Sequence, residues 1–138
     1  MPIPKLTPVK RRKSLYSDFH KDLTINPISN DLAVKRDEEA VKESLKNLLL
    51  TDRGERLFQP SLGSDIRATL FENNTPMVVK LLEEKVRAVI NNFEPRVNII
   101  EIIIKSEYDE NKIQITIYFN IRNVGAPLSV TVFLERTR

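Results

Sequence analysis

The tripeptide Glu94-Pro95-Arg96 combines two opposite charges with a fixed bend, and it lies where a helical pattern changes to a strand pattern. Proline fixes its own φ, lacks a backbone donor and pushes the preceding residue towards extended geometry. The helix that runs up to Phe93 is therefore predicted to stop before Glu94, with both charged side chains pointing outward. Two interpretations stay open: a device that binds another macromolecule, or a surface ion pair worth about 0 to 1 kcal/mol.

Other residue types that carry chemistry are scarce in this chain. His20 is the only histidine, and the absence of cysteine excludes disulfides and thiolate metal sites. The three glycines, Gly54, Gly63 and Gly125, are too scattered for a loop that cradles phosphate. The sequence therefore predicts no metal site, no nucleotide and no other cofactor.

Length and composition predict one globular domain. The chain has 138 residues, of which 41% are hydrophobic and 30% are charged, enough for one core and too few for two. No apolar run approaches the ~18 residues of a membrane span, and prolines occur where a signal peptide needs an apolar helix. We expect a soluble, non-secreted protein with no membrane partner.

The formal net charge of +3 is unevenly distributed, because Lys10, Arg11, Arg12 and Lys13 follow one another near the N-terminus. Such a run can contact phosphates or an acidic protein surface. No interleaved aromatic residues or nucleic-acid-binding motif accompany it, so a protein contact is favoured and nucleic acid is the alternative. The alternative predicts binding that weakens steeply with salt.

The pattern along the chain predicts an extended arm over residues 1–30 and a single domain over 31–138. Apolar anchors are expected to hold part of the arm against the body; they are Leu15, Tyr16, Phe19 and Leu23.

Three helices are predicted in the domain. The first covers about 38–51, with Asp37 as N-cap and Gly54 in the left-handed conformation at its end. The second is short and ends near residues 73–74. The third starts at Pro76 after the N-cap Thr75 and presents a broad apolar stripe to the core. Leu57, Phe58 and Leu62, in the loop after the first helix, are predicted to fix that loop to the core.

From Val97 the period changes to two and β-branched residues dominate, which predicts two strands joined by a polar hairpin. A break at residues 125–127 is followed by a third strand. In this strand Leu128, Val130, Val132 and Leu134 alternate with Ser129, Thr131, Phe133 and Glu135. The fold class is therefore α+β: three helices packed on a small, mainly antiparallel sheet of about three strands, with an extended N-terminal arm.

With these segments in place, the chain resembles the contractile-tail baseplate wedge family, whose members act as sheath initiators in myophage tails and in related secretion and injection machines. The matching segments, in this order, are Arg53-Gly54-Glu55-Arg56 with Phe58 and Pro60, Gly63-Ser64-Asp65-Ile66, Leu70-Phe71-Glu72-Asn73-Asn74-Thr75-Pro76, and Asn92-Phe93-Glu94-Pro95-Arg96. The resemblance covers most of the body and leaves out the arm.

The resemblance implies a structural subunit of the virion tail baseplate, assembled in the host cytoplasm at about six copies per baseplate. Its implied partners are other baseplate wedge proteins, the tail sheath protein, and tail tube or hub proteins. Glu94, Pro95 and Arg96 would clamp neighbouring wedge proteins. The strand over 128–134 would pair with the first sheath ring by adding a partner strand to its edge.

Glycoside hydrolysis is a separate hypothesis, because members of this family have carried a lysozyme-like label. That chemistry normally uses two carboxylates about 5 to 9.5 Å apart, one of them kept protonated by apolar surroundings. Arg96 favours the charged form of Glu94, and no second carboxylate has a place opposite it. Glu72 and Asp65 are more simply helix-end residues, so the sequence predicts no catalytic residue and no enzyme.

Overall fold

The computed structural model describes residues 13–69, 75–107 and 112–135. Its elements along the chain are β1 (Ser17–Phe19), β2 (Val34–Arg36), α1 (Glu38–Leu50), α2 (Ile66–Thr69), α3 (Pro76–Phe93), β3 (Val97–Glu107), β4 (Lys112–Ile121) and β5 (Pro127–Glu135). Three helices and two antiparallel sheets confirm the predicted α+β class.

Helix α3 is the central helix of the core and begins as predicted. The Thr75 side chain accepts a hydrogen bond from the backbone nitrogen of Val78 at 3.3 Å, and Pro76 occupies the first turn, where its missing donor does no harm. Leu82, Val86 and Ile90 recur on one face and are buried. The helix ends at Phe93, so the predicted stop before Glu94 is confirmed.

Helix α1 packs beside α3, but its N-cap differs from the prediction. Asp37 is the N-cap residue without capping the helix through its side chain, and its φ is 46°. Its carboxylate instead accepts hydrogen bonds from the backbone nitrogens of Leu15 at 2.7 Å and Tyr16 at 3.1 Å. Asp37 therefore joins the N-terminal segment to the start of α1.

The segment between α1 and α2 differs from the prediction in two respects. Leu57 and Phe58 are 92% and 97% exposed, so the prediction that they fix the loop to the core is wrong for these two, whereas Leu62 is partly buried. Gly54 does have a positive φ, but α1 has already ended at Leu50, and the Gly54 nitrogen donates to the carbonyl of Pro60. The predicted extension of α2 to residues 73–74 lies outside the described residues.

The larger sheet has the order β3-β4-β5 with antiparallel pairing throughout, as the sequence predicted. Strand β4 is central, and its odd-numbered side chains from Ile115 to Ile121 are buried against the helices. Alternation of inward and outward side chains follows from the pleat. One register shift interrupts the β3–β4 pairing between Ile99 and Glu101.

Strands β1 and β2 form a second, two-stranded antiparallel sheet that the sequence did not predict. Of the predicted apolar anchors, Tyr16 is partly buried and packs against the core. Leu15, Phe19 and Leu23 are mostly exposed, so the prediction is wrong for them. The domain boundary at residue 30 stays a prediction, and the β1–β2 pairing joins residues on its two sides.

Candidate subunit-contact sites

The bend at residues 94–96 is built between the end of α3 and the start of β3. The Glu94 nitrogen donates to the carbonyl of Ile90 at 2.8 Å and closes the last turn of the helix. The Glu94 carbonyl then accepts a hydrogen bond from the nitrogen of Val97 at 3.3 Å, where the strand begins. Because both backbone groups are used, the direction of the following side chains is fixed by the fold.

The side chains of Glu94 and Arg96 form a two-pronged ion pair. Nε and Nη2 of Arg96 donate to Oε1 and Oε2 of Glu94, each at 2.6 Å. The hydroxyl of Ser44 on α1 donates to the same Oε2 at 2.7 Å and accepts a bond from Nη2 of Arg96 at 3.3 Å. Parallel charge-assisted bonds of this kind orient a guanidinium in a fixed plane.

Tyr16 covers one face of this guanidinium. The Arg96 carbon Cζ lies 5.2 Å from the centre of the Tyr16 ring, within the range of a cation–π contact. The carboxylate of Asp37 accepts a hydrogen bond from the backbone nitrogen of Tyr16. The N-terminal segment and the bend are therefore one connected structure.

The environment keeps Glu94 ionised. Burial would raise the pKa of the Glu94 carboxyl, but the hydrogen bonds from Arg96 and Ser44 and the charge of Arg96 together hold that pKa below its usual value. The hydrogen bond to Glu94 raises the pKa of Arg96 against the opposing effect of burial. Both groups are charged at neutral pH.

The prediction that both side chains point outward is wrong for Glu94, which is only 3% exposed. It lies at the end of a core helix, where its carboxylate supports the arginine from inside. The alternative of a surface ion pair does not describe this arrangement either, because one partner is buried. The Arg96 side chain remains 33% exposed, and Pro95 is exposed, so these two residues form the accessible part of the bend.

Among the described residues, strand β5 is an edge of the larger sheet, and the four apolar residues of the predicted pairing strand face inward. Val132 and Leu134 are buried in the core, while Leu128 and Val130 are partly buried against it. The expected contact of this strand is made through its backbone, so its pairing with a partner strand stays a prediction. The accessible parts of β5 are its edge backbone groups and the alternate side chains, among them Phe133.

The register shows which backbone groups of β5 are accessible. The nitrogen of Arg122 donates to the carbonyl of Arg96 on the β3 side, so even-numbered residues of β4 direct their backbone groups towards β3 and odd-numbered ones towards β5. Ile115 and Ile117 are paired with Val132 and Val130. The intervening Thr131 therefore directs its N–H away from β4, at the open edge of the sheet.

Of the basic run, Lys13 is exposed, while Lys10, Arg11 and Arg12 lie outside the described residues. Lys13 lines an open pocket of about 750 Å³ together with Asp37 and Glu38 at the start of α1 and with residues 123–126 of the β4–β5 turn. Within the part of the chain that the structure describes, no group of three His, Cys, Asp or Glu side chains is placed to hold a metal ion. No helix in that part is long and apolar enough to cross a membrane.

The sequence analysis did not predict two side-chain contacts to the bend, those of Ser44 and Tyr16. Ser44 lies on α1 between Val41 and Leu45, both of which are buried. A polar residue next to a buried helix stripe is the signal that could have identified it. Tyr16 was predicted as an apolar anchor, without its contact to Arg96.

The fold and the site together define a small α+β protein with a braced arginine and an open strand edge, typical of a subunit that binds other proteins. Residues 35–126 match the sequence model of the family described as baseplate wedge protein gp25. The match covers more than half of the chain, and the chain belongs to this family. Baseplate wedge proteins are components of contractile tails, as the resemblance implied.

Individual relatives agree with the family assignment. Baseplate wedge protein gp25 of Enterobacteria phage T4 is 28% identical over 110 residues, which are 78% of this chain and 80% of that protein. A chain in the baseplate of the anti-feeding prophage has the same fold with a TM-score of 0.62 at 19% identity, covering 89% of this chain and 87% of its own.

The fold also matches a Geobacter sulfurreducens protein provisionally described as a tail lysozyme. The TM-score is 0.68 at 24% identity, and the alignment covers 73% of this chain and 92% of that one. At this level of identity the match shows the fold alone, so the description carries no activity over to this chain.

Proposed function

We propose that this chain is a structural wedge subunit of a contractile-tail baseplate that joins neighbouring wedge proteins and initiates the sheath by strand pairing. The open edge of β5 is the observation that carries the proposal. Its outward-facing N–H and C=O groups can accept a strand from the sheath, while its inward-facing side chains, such as Val132 and Leu134, stay in the core. The subunit belongs to the tail baseplate of the virion, and the baseplate is assembled in the host cytoplasm.

The experiment that tests strand pairing removes one outward-facing donor without changing the core. Proline is tolerated on an edge strand where its missing N–H faces solvent, so Thr131→Pro is expected to keep the fold. We expect this variant to reduce sheath polymerisation on isolated baseplates strongly, because the added strand loses a central hydrogen bond and meets the proline ring. Negative-stain electron microscopy counts the baseplates that carry sheath.

Thr131→Val is the matched control. It removes the weak side-chain contact between Thr131 and Thr116 at 3.3 Å but keeps the backbone donor. It is expected to support normal sheath assembly. Normal sheath on Thr131→Pro baseplates, from a protein that still melts cooperatively, would contradict strand pairing at β5.

The second part of the proposal is that Arg96 and Pro95 contact a neighbouring wedge protein, with Glu94 and Ser44 holding the guanidinium in position. The two bonds to Glu94 use Nε and Nη2, and no described residue bonds Nη1. A partner carboxylate or helix C-terminus can accept a bond from this third nitrogen.

Arg96→Lys tests this contact, because lysine keeps the charge beside Glu94 but lacks the planar fork. We expect assembled wedges to fall by about tenfold or more. Arg122→Lys is the control, since Arg122 is exposed and its side chain, among the described residues, makes only a 3.4 Å contact to Asn98. Wedge assembly by Arg96→Lys equal to that of the wild type would assign Arg96 a role in folding only.

A further inference from the structure

The β1–β2 ribbon carries an exposed apolar strip that neither the bend nor the β5 edge uses. The strip consists of Phe19, Ile25, Leu32 and Val34, each of which is exposed. Most of the ribbon precedes residue 35, where the match to the family begins. The fold match to the anti-feeding prophage chain covers 89% of this chain, more than residues 35–138 alone can supply, so it extends to residues before 35.

Register and burial place these four side chains on one face. Phe19 lies directly opposite Val34, and Ile25 lies directly opposite Leu32. Leu32, a bridge residue just before β2, and Val34, the first residue of β2, are two positions apart with the less exposed Ala33 between them, and therefore point to the same side.

The opposite face of the ribbon is directed at α1. Lys35 forms an ion pair with Glu43 of α1 at 3.2 Å, and both side chains are largely covered. Ala33 is likewise partly buried. The apolar strip therefore faces away from the body.

The ribbon is held in this orientation at its base. Asp37 binds the backbone of Leu15 and Tyr16, and the nitrogen of Asp37 donates to the carbonyl of Tyr16 at 2.9 Å. An isolated two-stranded hairpin is only marginally stable in water. Because the β1–β2 ribbon packs against the body with one face only, its orientation depends on these contacts. The fixed base presents the strip in a defined direction.

The size of the strip limits what can occupy it. Four such side chains make a patch on the order of a few hundred Å², comparable to the largest apolar patch of a typical monomer. A stable interface needs about 800 Å² from each partner. A second copy that met the strip face to face would bury too little, so the occupant must be fixed by further contacts elsewhere on the body.

A neighbouring subunit that already contacts the body meets this condition, and a helix is the element that fits the strip. A partner strand would pair at an edge of the ribbon and leave its face uncovered, whereas α1 already shows how a helix covers the other face. We propose that the apolar strip of the β1–β2 ribbon binds an amphipathic helix of a neighbouring baseplate subunit. The inference rests on the proposed structural function.

The test combines a double substitution with direct imaging. Leu32→Ser together with Val34→Ser removes half of the strip without touching the contacts to α1. Ile28→Ser is the matched control, because Ile28 is more exposed than any residue of the strip but lies at the ribbon tip. Each variant is supplied as the only copy to cells that make the particle, and quantitative mass spectrometry measures this chain per purified particle.

We expect the double variant to melt within a few degrees of the wild type and its incorporation to fall about tenfold or more, with normal incorporation of Ile28→Ser. A cryo-EM map of the wild-type baseplate should show a helix of another subunit across Phe19 and Val34. Undiminished incorporation of the double variant overturns the inference. So does a map in which the strip faces solvent, a second copy of this chain or a strand.

The two proposals fail differently. If the chain is absent from wild-type particles, the proposed structural function fails and this inference fails with it. If the chain is present in the baseplate with an uncovered strip, only the inference fails.

Discussion

Glu94 orients the guanidinium of Arg96. Burying the Glu94 carboxylate costs free energy, which explains why both Arg96 and Ser44 bind it. A buried charge is tolerated when it is paired and its lone pairs are hydrogen-bonded. Arg96 supplies two bonds and the positive charge, and Ser44 supplies a further bond from α1. The bend is therefore coupled to the packing of α1 against α3, and truncation of Arg96 is expected to affect folding as well as binding.

The ion pair predicts a pH dependence of stability. Because the pKa of Glu94 is lowered in the folded protein, its contribution is complete above the ordinary carboxyl pKa of about 4.3 and is lost as the pH falls through the lower folded value. Glu94→Gln is expected to lower the free energy of unfolding at pH 7 by about 1 to 3 kcal/mol. Between about pH 5 and 3 its stability should fall less steeply than that of the wild type. Urea unfolding at a series of pH values measures both effects.

Glu83→Gln is the control for this measurement. Glu83 pairs with Arg87 one helical turn away at 3.1 Å, and both side chains are well exposed. Such a pair contributes only about 0.2 to 0.5 kcal/mol. Parallel pH curves for Glu94→Gln and the wild type would show that the carboxylate of Glu94 contributes no pH-dependent stability.

The bend itself could be predicted from the sequence, because proline acts locally on its own φ and on the preceding residue. The burial of Glu94 could not. It depends on Ser44, fifty positions earlier on another helix, and on the packing of the two helices. Tyr16 reaches Arg96 through the same kind of long-range contact.

At the scale of elements, Gly63 lies where the connection after α1 passes close to the C-terminal end of that helix. Gly63 has a φ of 130°, and a Cβ at this position would lie 2.7 Å from the carbonyl oxygen of Thr51 and 2.9 Å from backbone atoms of Asp52. The next residue, Ser64, is buried and binds the backbone of Thr51 and Leu49. The close approach explains why the chain has glycine here.

Gly63→Ala is therefore expected to destabilise the protein by about 1 to 3 kcal/mol, because both the φ value and the backbone contact oppose a side chain. Gly125→Ala is the control, since its Cβ would meet nothing within 4 Å and its φ is not in the left-handed region. It should change stability by no more than about 0.5 kcal/mol. Chemical denaturation of both variants decides the point, and equal stabilities would contradict this role of Gly63.

Elements with a strong internal period were predictable, and those that depend on a neighbour were not. Helix α3 has a cap and a continuous stripe, and β4 alternates along its whole length. Strands β1 and β2 have three residues each and no alternation long enough to detect, so only their pairing reveals them. Leu57 and Phe58 were misjudged because apolar residues on a subunit surface have the same sequence signature as core residues.

For the whole molecule, the apolar core, the braced bend and the open strand edge fit the proposed structural role. The inner face of the sheet is closed by α1 and α3, and the exposed features lie at the periphery: the β5 edge, Pro95 with Arg96, the strip on the ribbon and the loop at Leu57 and Phe58. Under the proposed function, each of these separate exposed features is available to a different neighbouring subunit.

This organisation also leads to a prediction about hydrolysis. A general acid for glycosidic bond cleavage has a raised pKa and stands across a cleft from a second carboxylate. Glu94 has a lowered pKa, and its two oxygens already accept bonds from Arg96 and Ser44. We therefore expect the purified protein to leave a suspension of bacterial cell walls turbid at neutral and acidic pH, with hen lysozyme as the positive control. Clearing of the suspension that is lost in Glu94→Gln would show that the bend is catalytic and would overturn the proposed structural role.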